Sequence, residues 1–171
     1  ALETAFLNFV ASIPFYGFAA LCIDHPSVQR LMAGIKDRRI ITYGMVAAAD
    51  VRAVNMRVDG ASMVFDAQLS DRAAGDATTI TDIRFPMLGD HNVQNCLAAI
   101  AVALEMNIEA DSIRDALADF GGVGRRFETK GVSHGVTIID DYGHHPVEIN
   151  AALKAGRMMC GENKLIAVVQ P

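Results

Sequence analysis

FAALCIDHPSVQRLMAGIKDRRIITYG, residues 18–44, carries the clearest indication of the fold class. It opens with a nearly unbroken apolar run, which predicts a strand buried on both faces of a sheet. Pro26 suits the first position of a helix, and Leu31 and Met32 lie on the predicted apolar face of that helix. The run RIITYG predicts a second short buried strand. A strand, a helix and a strand in this order indicate a parallel sheet in an α/β fold.

The pattern changes after this unit, because apolar and polar residues begin to alternate. Such alternation predicts half-buried strands, and the Asp-Gly pair at 59–60 predicts a hairpin turn. The three predicted strands cover residues 50–58, 61–69 and 77–86. We expect them to form a small antiparallel sheet attached to the parallel one.

Apolar residues recur at helical spacing in three further segments. The predicted helices cover the residues before Pro14, residues 92–106 and residues 110–120. Their predicted core faces contain Phe6, Phe9, Val10 and Ile13 in the first helix, Val93, Cys96, Leu97, Ile100 and Leu104 in the second, and Ile113, Ala116, Leu117 and Phe120 in the third.

A glycine-rich run, GGVGRRF at residues 121–127, predicts a joint between two domains. We place the boundary so that residues 1–124 belong to one domain and residues 125–171 to another. Beyond the joint, VTIIDDYG predicts a strand, Pro146 opens a helix running to about Met159, and KLIAVVQP predicts the next strand. This second strand–helix–strand unit looks cut short, so we expect the chain to be a piece of a longer protein.

Composition excludes several classes of protein. The 171 residues are 51% apolar and 20% charged, which is enough to bury a sizeable core. The net charge is −5 and the basic residues are scattered, so nucleic acid is not an expected partner. The three cysteines, Cys22, Cys96 and Cys160, form no C-x-x-C pair, which favours a reduced cytoplasmic compartment. The apolar run at 6–23 is interrupted by Pro14, so we expect no membrane insertion.

The run DDYGHHPVEIN, residues 140–150, could carry chemistry. It lies at the carboxyl end of a predicted strand, where open α/β sheets bind ligands, and the helix that follows would favour an anion. An alternative is a solvated turn in which one histidine caps the helix. A zinc site is a third possibility, but the adjacent His144 and His145 would have difficulty reaching one metal ion, and we expect none.

A second candidate is GDHNVQN, residues 89–95, at the start of a helix. His91 and Asn95 are four residues apart and share a face, while Asn92 points about 100° away. An asparagine amide has a donor and an acceptor, which suits the edge of an adenine ring. The alternative is that Asp90 or Asn92 only caps the helix.

A third candidate is the arginine pair in GVGRRF. Guanidinium groups bind phosphate in a planar fork, and flexible glycines beside them suit a phosphate clamp. The alternative is a solvated charged linker. The chain contains no G-x-x-x-x-G-K-[ST] motif, so it has no phosphate-cradling loop of that kind.

Taken in order, GDHNVQNCLAA, GGVGRRFE, IIDDYGHHPVEI and VVQP resemble the Mur ligase family. FVASIPFYGFAALCIDHPSVQ and RRIITYG are also similar to it, so the resemblance covers essentially the whole chain. It implies a UDP-binding domain, a central ATP-binding domain and a C-terminal Rossmann-like domain. Residues 1–124 would be the latter part of the central domain, and residues 125–171 would begin the C-terminal one.

The resemblance also implies an activity. The family member with the most similar motifs joins L-alanine to UDP-N-acetylmuramate during peptidoglycan synthesis, using ATP and magnesium and passing through an acyl phosphate. The phosphate loop and the magnesium ligands would precede Ala1, so we expect the 171 residues alone to be inactive. Two alternatives stay open, namely a member that recycles a tripeptide and a nucleotide-binding module without catalysis. Tyr142 followed by Gly143 favours the alanine-adding activity over the recycling one.

Site residues follow from the same resemblance. Nucleotide binding is expected of His91, Asn92, Asn95, Arg126 and Asp141. Within this set, the asparagines would contact adenine, Arg126 would approach the phosphates, and Asp141 would lie near the ribose and phosphates. Tyr142 and His144 would bind the incoming amino acid, and Arg126 and His144 are the expected catalytic residues.

Overall fold

The computed structural model describes residues 2–76 and 78–169. Five strands form one mixed sheet in the order β1-β2-β3-β4-β5. They are β1 Phe18–Cys22, β2 Arg39–Gly44, β3 Val51–Asp59, β4 Ser62–Leu69 and β5 Thr78–Phe85. Strands β1, β2 and β3 are parallel to one another, whereas the β3–β4 and β4–β5 pairs are antiparallel. The predicted α/β fold class is confirmed, and the antiparallel strands continue the parallel part without a break.

Six helices lie in the described residues. They are α1 Leu2–Ala11, α2 Pro26–Ala33, α3 Asp71–Ala74, α4 Asp90–Glu105, α5 Ala110–Ala118 and α6 Pro146–Cys160. The sequence predicted all of them except the single turn of α3. Proline stands at the first position of both α2 and α6, where its missing N–H has no helical partner to lose.

Helix α4 packs on the sheet with the face that its sequence predicts. Val93, Leu97 and Ile100 are completely buried, and they share one hydrophobic core with Phe65 on β4. Ala155 of α6 belongs to the same core, so α6 is held next to α4. The first turns of α4 and α6 line the same cleft, which is described below.

A buried carboxylate, Asp50, joins the parallel part of the sheet to the antiparallel part. Its Oδ2 accepts hydrogen bonds from the backbone N–H of Thr42 at 2.9 Å and from the Thr42 hydroxyl at 2.7 Å, and its Oδ1 accepts one from the Ser70 hydroxyl at 3.0 Å. Burial alone would raise the pKa of Asp50, but these hydrogen bonds outweigh burial and the pKa is lowered. The group therefore stays ionised and paired at neutral pH.

Two predictions about burial at the beginning of the chain are wrong. Phe9 of α1 is 70% exposed and Phe6 is 51% exposed, so within the described part of the chain only Val10 on that face is buried. Strand β1 is mostly half-buried, since it is the edge strand of this sheet and has a neighbour on one side. Helical spacing correctly predicted the α1 helix, but it could not predict whether other residues cover the apolar face of that helix.

The last part of the chain differs from its predicted strand–helix–strand order. Strand β7 Val136–Asp140 forms a hairpin with β6 Glu128–Ser133, which the sequence analysis missed. Residues 164–169 form no strand, because β7 pairs with β6 and the described residues offer no strand beside 164–169. Gln170 and Pro171, the end of that predicted strand, lie outside the described residues.

Candidate functional site

A cleft of about 710 Å³ opens between α4 and α5 on one side and the 123–126 joint and α6 on the other. Five residues that were predicted to bind a nucleotide line it together: His91, Asn92, Asn95, Arg126 and Asp141. Thirty-one positions of sequence separate Asn95 from Arg126, and the packing of α6 next to α4 brings them to one cleft.

The chain enters α4 through a glycine that no other residue could replace without strain. Gly89 has a φ of 105°, and a Cβ there would lie 2.7 Å from Cε1 of His91. The close approach holds His91 half-buried against the cleft. Burial lowers the pKa of His91, and the negative charge of Asp141 opposes that effect. A neutral imidazole at neutral pH follows.

The two asparagines of α4 have different surroundings. Asn92 is 6% exposed, and its Nδ2 donates a hydrogen bond to the carbonyl of Leu88 at 2.8 Å. Asn95 is exposed, and its side chain makes no hydrogen bond within the described residues. The N-cap of α4 is Gly89, without a side-chain cap, so neither Asp90 nor Asn92 has the capping role considered from the sequence. Asn95 is therefore the amide available to a ligand.

Asp141 builds the turn that carries the candidate residues. Its Oδ2 accepts a hydrogen bond from the N–H of Phe127 at 2.8 Å, and its Oδ1 accepts one from the N–H of Gly143 at 2.7 Å. A Cβ on Gly143 would lie 2.7 Å from that Oδ1, so only glycine fits without a shift. These bonds fasten the joint beside Arg126 to the end of β7.

Tyr142 and His144 lie outside the cleft. With Asp141 they line a neighbouring cavity of about 460 Å³, on the side of α6 that faces residues 165–169. The Tyr142 ring contacts the guanidinium of Arg125 at 4.8 Å and the His144 ring at 5.3 Å. The structure thus separates the predicted nucleotide residues from the predicted amino-acid residues, and Asp141 lines both cavities.

The other histidine of the turn has a structural role. Nδ1 of His145 accepts a hydrogen bond from the N–H of Val147 at 3.3 Å, so His145 caps α6. Glu148 Oε2 accepts from the N–H groups of His144 and His145, also at 3.3 Å. This reciprocal arrangement is a capping box, and it matches the alternative in which one histidine caps the helix.

Sequence reasoning missed two features of the cleft. Phe85 and Phe120 stack with ring centroids 5.2 Å apart and planes 18° apart, and both line the cleft as an apolar aromatic pair. Glu148 also lines the cleft, and its Oε1 lies 3.8 Å from Nη1 of Arg126. The spacing of His145 and Glu148 is that of a capping box and could have indicated the glutamate, whereas nothing local indicates the aromatic stack.

Two kinds of feature are absent from residues 2–76 and 78–169. These residues contain no group of three or more His, Cys, Asp or Glu side chains that could hold a metal ion. No helix among them is long and apolar enough to cross a membrane. Cys22, Cys96 and Cys160 are free thiols, and burial raises the pKa of Cys96, which lines the cleft, to about 12.

Comparison with known proteins identifies the family. The model "Mur ligase middle domain" matches residues 1–103, and "Mur ligase, glutamate ligase domain" matches residues 125–171. The chain is 59% identical over 98% of its length to a UDP-N-acetylmuramate--L-alanine ligase of Rhodospirillum centenum, and 55% identical over 99% to the enzyme of that name from Brucella anthropi. It covers 34% and 36% of those relatives, about a third of their length.

A solved structure agrees about the fold. MurF from Acinetobacter baumannii superposes on 90% of the chain with a TM-score of 0.76 and 23% identity, and the chain covers 32% of it. At that identity the likeness concerns the fold alone. The family models extend over most of the chain, and the chain therefore belongs to the Mur ligase family.

Proposed function

We propose that the chain is part of a cytoplasmic enzyme that joins L-alanine to UDP-N-acetylmuramate in peptidoglycan precursor synthesis, with ATP converted to ADP. The observation that carries the proposal is that the five predicted nucleotide residues line one cleft. The near-complete match to relatives named UDP-N-acetylmuramate--L-alanine ligase supports the choice of substrates. We also propose that residues 1–124 belong to the central ATP-binding domain and residues 125–171 begin the C-terminal domain.

The cleft suits ATP in size and chemistry. Its volume of about 710 Å³ lies in the usual range for small-molecule sites. Phe120, which is stacked on the buried Phe85, offers apolar surface to the adenine ring, and the exposed amide of Asn95 can donate to and accept from the edge of that ring. Arg126 stands at the opposite side of the cleft, where its guanidinium can reach phosphate oxygens.

The residues of this chain would act mainly by position and charge. In the proposed reaction, phosphate is transferred to the carboxylate of UDP-N-acetylmuramate, the amine of L-alanine attacks the acyl phosphate, and phosphate leaves. Arg126 would neutralise charge that develops on the transferred phosphoryl group. Tyr142 and His144, in the cavity that shares Asp141 with the cleft, would hold L-alanine close to the acyl phosphate. Magnesium ligands are not proposed among these residues.

The test uses a full-length protein that contains these residues. ADP release is measured with UDP-N-acetylmuramate plus L-alanine, and with UDP-N-acetylmuramate plus a peptidoglycan tripeptide. We expect release with L-alanine at least tenfold faster than with the tripeptide. Faster release with the tripeptide would assign the protein to peptide recycling, and background release with both would identify a nucleotide-binding module without catalysis.

A further inference from the structure

Glu148 is the fourth residue of the run HPVE and the third of helix α6, and each of its carboxylate oxygens has a different environment. Oε2 accepts the two backbone N–H groups of the capping box, from His144 and His145. The same oxygen lies 3.8 Å from Nδ1 of His144. Oε1 faces the cleft, 3.8 Å from Nη1 of Arg126. The Glu148 side chain thus lies between Arg126, the predicted phosphate contact, and His144, the predicted amino-acid contact.

The capping box does not account for Oε1. A helix cap needs one acceptor for the N-cap N–H, and a glutamine at this position supplies it as well as a glutamate does. The hydrogen bonds from His145 and His144 lower the pKa of Glu148, so the side chain carries its negative charge at neutral pH. That charge faces Arg126, and among the described residues Glu148 is the only carboxylate paired with Arg126.

The backbone around Arg126 is already fixed by other residues. The N–H of Arg125 donates to Oε2 of Glu128 at 2.7 Å, and the N–H of Phe127 donates to Asp141 at 2.8 Å. Arg125 and Phe127 both have positive φ, at 58° and 51°, so the joint has a well-defined shape. The backbone bonds leave the direction of the long Arg126 side chain open, and Glu148 is the charged group among the described residues that pairs with that side chain.

We propose that Glu148 is a positioning residue that holds the Arg126 guanidinium and the His144 turn in one geometry, so that nucleotide and amino acid are aligned together. This inference rests on the proposed function. A half-exposed ion pair adds little to folding stability, so the contribution of the charge is one of orientation. The capping role and the positioning role use different properties of the same side chain, and a substitution can separate them.

The experiment compares three variants of the full-length ligase. Glu148→Gln keeps the cap acceptor and removes the charge, Glu148→Ala removes both, and Glu162→Gln removes an exposed carboxylate away from the cleft as a control. For Glu148→Gln we expect kcat/KM for ATP and for L-alanine to fall about three- to tenfold with an unchanged Tm. Glu148→Ala should show the same losses with a lower Tm, and Glu162→Gln should match the wild type.

Several results would overturn the inference. Unchanged kinetics in Glu148→Gln would leave only the capping role. A loss confined to one substrate would show that Glu148 does not align the two. Tighter binding of a non-hydrolysable ATP analogue by Glu148→Gln would show that the carboxylate competes with phosphate for Arg126.

A double variant tests whether Glu148 acts on ATP through Arg126. In Arg126→Gln, the further change Glu148→Gln should leave the Kd of the ATP analogue within about twofold, and an additive loss would contradict the inference. This binding measurement needs no turnover. If the wild type proves unable to use L-alanine, the proposed function fails, while the nucleotide Kd values still decide whether Glu148 positions Arg126.

Discussion

At the scale of single residues, the same residue type serves different purposes within one turn of helix. Asn92 and Asn95 both stand in the first two turns of α4 and both line the cleft. Asn92 is buried and donates to the Leu88 carbonyl, whereas the Asn95 amide has no side-chain hydrogen bond within the part of the chain described. A hydrogen bond made inside the protein supports folding, and an amide left open in a cleft is available for binding.

The two asparagines should therefore respond differently to alanine substitution. In the full-length enzyme, Asn95→Ala should weaken nucleotide binding by about 1–3 kcal/mol, because a polar edge of the bound base loses its partner. The loss affects ground and transition states alike, so it should appear chiefly as a higher KM for ATP. Asn92→Ala should instead lower the free energy of unfolding by about 1 kcal/mol through loss of its bond to Leu88. Steady-state kinetics and Tm values of both variants check this, and a reversed pattern would contradict it.

His144 should act on the amino acid and not on the nucleotide. Its side chain is 72% exposed and lines the second cavity, outside the cleft that holds Asn95 and Arg126. His144→Ala should raise the KM for L-alanine several-fold and leave the KM for ATP within about twofold. His134→Asn is a matched control, since His134 lies in the β6–β7 turn and asparagine tolerates its φ of 51°. A change confined to the KM for ATP would reverse the assignment.

At the scale of elements, Asp50 makes the link between β2 and β3 sensitive to acid. Its pKa is lowered in the folded protein, so the stability that it contributes is present above the pKa of an unfolded aspartate, about 3.9. That stability is lost as the pH falls from about 3.9 through the lower pKa that Asp50 has in the folded protein. Asp50→Asn should lower the free energy of unfolding by about 1–3 kcal/mol at pH 7. The difference from the wild type should shrink below about pH 4.

Urea unfolding of the chain at pH values from 7 to 3 measures this effect. Asp115→Asn is a suitable control, because Asp115 is exposed on α5 and its side chain has no hydrogen-bond partner in the described residues. The control should follow the wild type at every pH. A difference between Asp50→Asn and the wild type that stays constant down to pH 3 would show that the carboxylate charge is not what joins the strands.

Local sequence patterns predicted the helices and strands more accurately than they predicted which residues pack around them. Apolar periodicity located α4 and its buried face, because that face has one partner, the sheet, directly beneath it. The hairpin of β6 and β7 was missed although His134 and Gly135 both have positive φ, which is typical of a two-residue turn. The exposure of Phe9 and the unpaired residues 164–169 depend on which neighbours are present, and periodicity carries no information about neighbours.

The candidate site shows the same limit. Motifs with a recognisable spacing indicated His91, Asn95, Arg126 and Asp141, and folding brings these residues to one cleft. Asp141, Tyr142 and His144 come from one motif, in which Asp141 was expected to contact the nucleotide and the other two the amino acid, but the motif did not indicate that Tyr142 and His144 line a second cavity. The directions of the side chains in this turn depend on the two hydrogen bonds that Asp141 accepts. One comes from the N–H of Phe127, which is 14 positions away in the sequence, and the other comes from the N–H of Gly143, which is two positions away.

At the scale of the whole molecule, the two sides of the cleft differ in what they could contribute to binding a nucleotide. The stacked Phe85 and Phe120 and the Asn95 amide suit a base, and Arg126 is the arginine that lines the cleft. The sequence has no G-x-x-x-x-G-K-[ST] motif, and the chain spans about a third of the length of its curated relatives. The base side of a nucleotide site is thus better supplied within these 171 residues than the phosphate side.

The isolated 171-residue chain should therefore prefer ATP to adenosine only by what a single arginine contact supplies. One charge-assisted contact, from Arg126, favours ATP by about 1.5–3 kcal/mol, or roughly ten- to a hundredfold in Kd. Arg126→Ala should remove most of this preference and leave adenosine binding unchanged, because the base contacts are made elsewhere in the cleft.

The chain alone should release no ADP with UDP-N-acetylmuramate and L-alanine, since phosphoryl transfer needs the phosphates to be held in line by more than one cation. Calorimetry with both ligands and a coupled ADP assay measure these outcomes. ADP release that survives repurification of the chain would show that the phosphate site is complete within these residues.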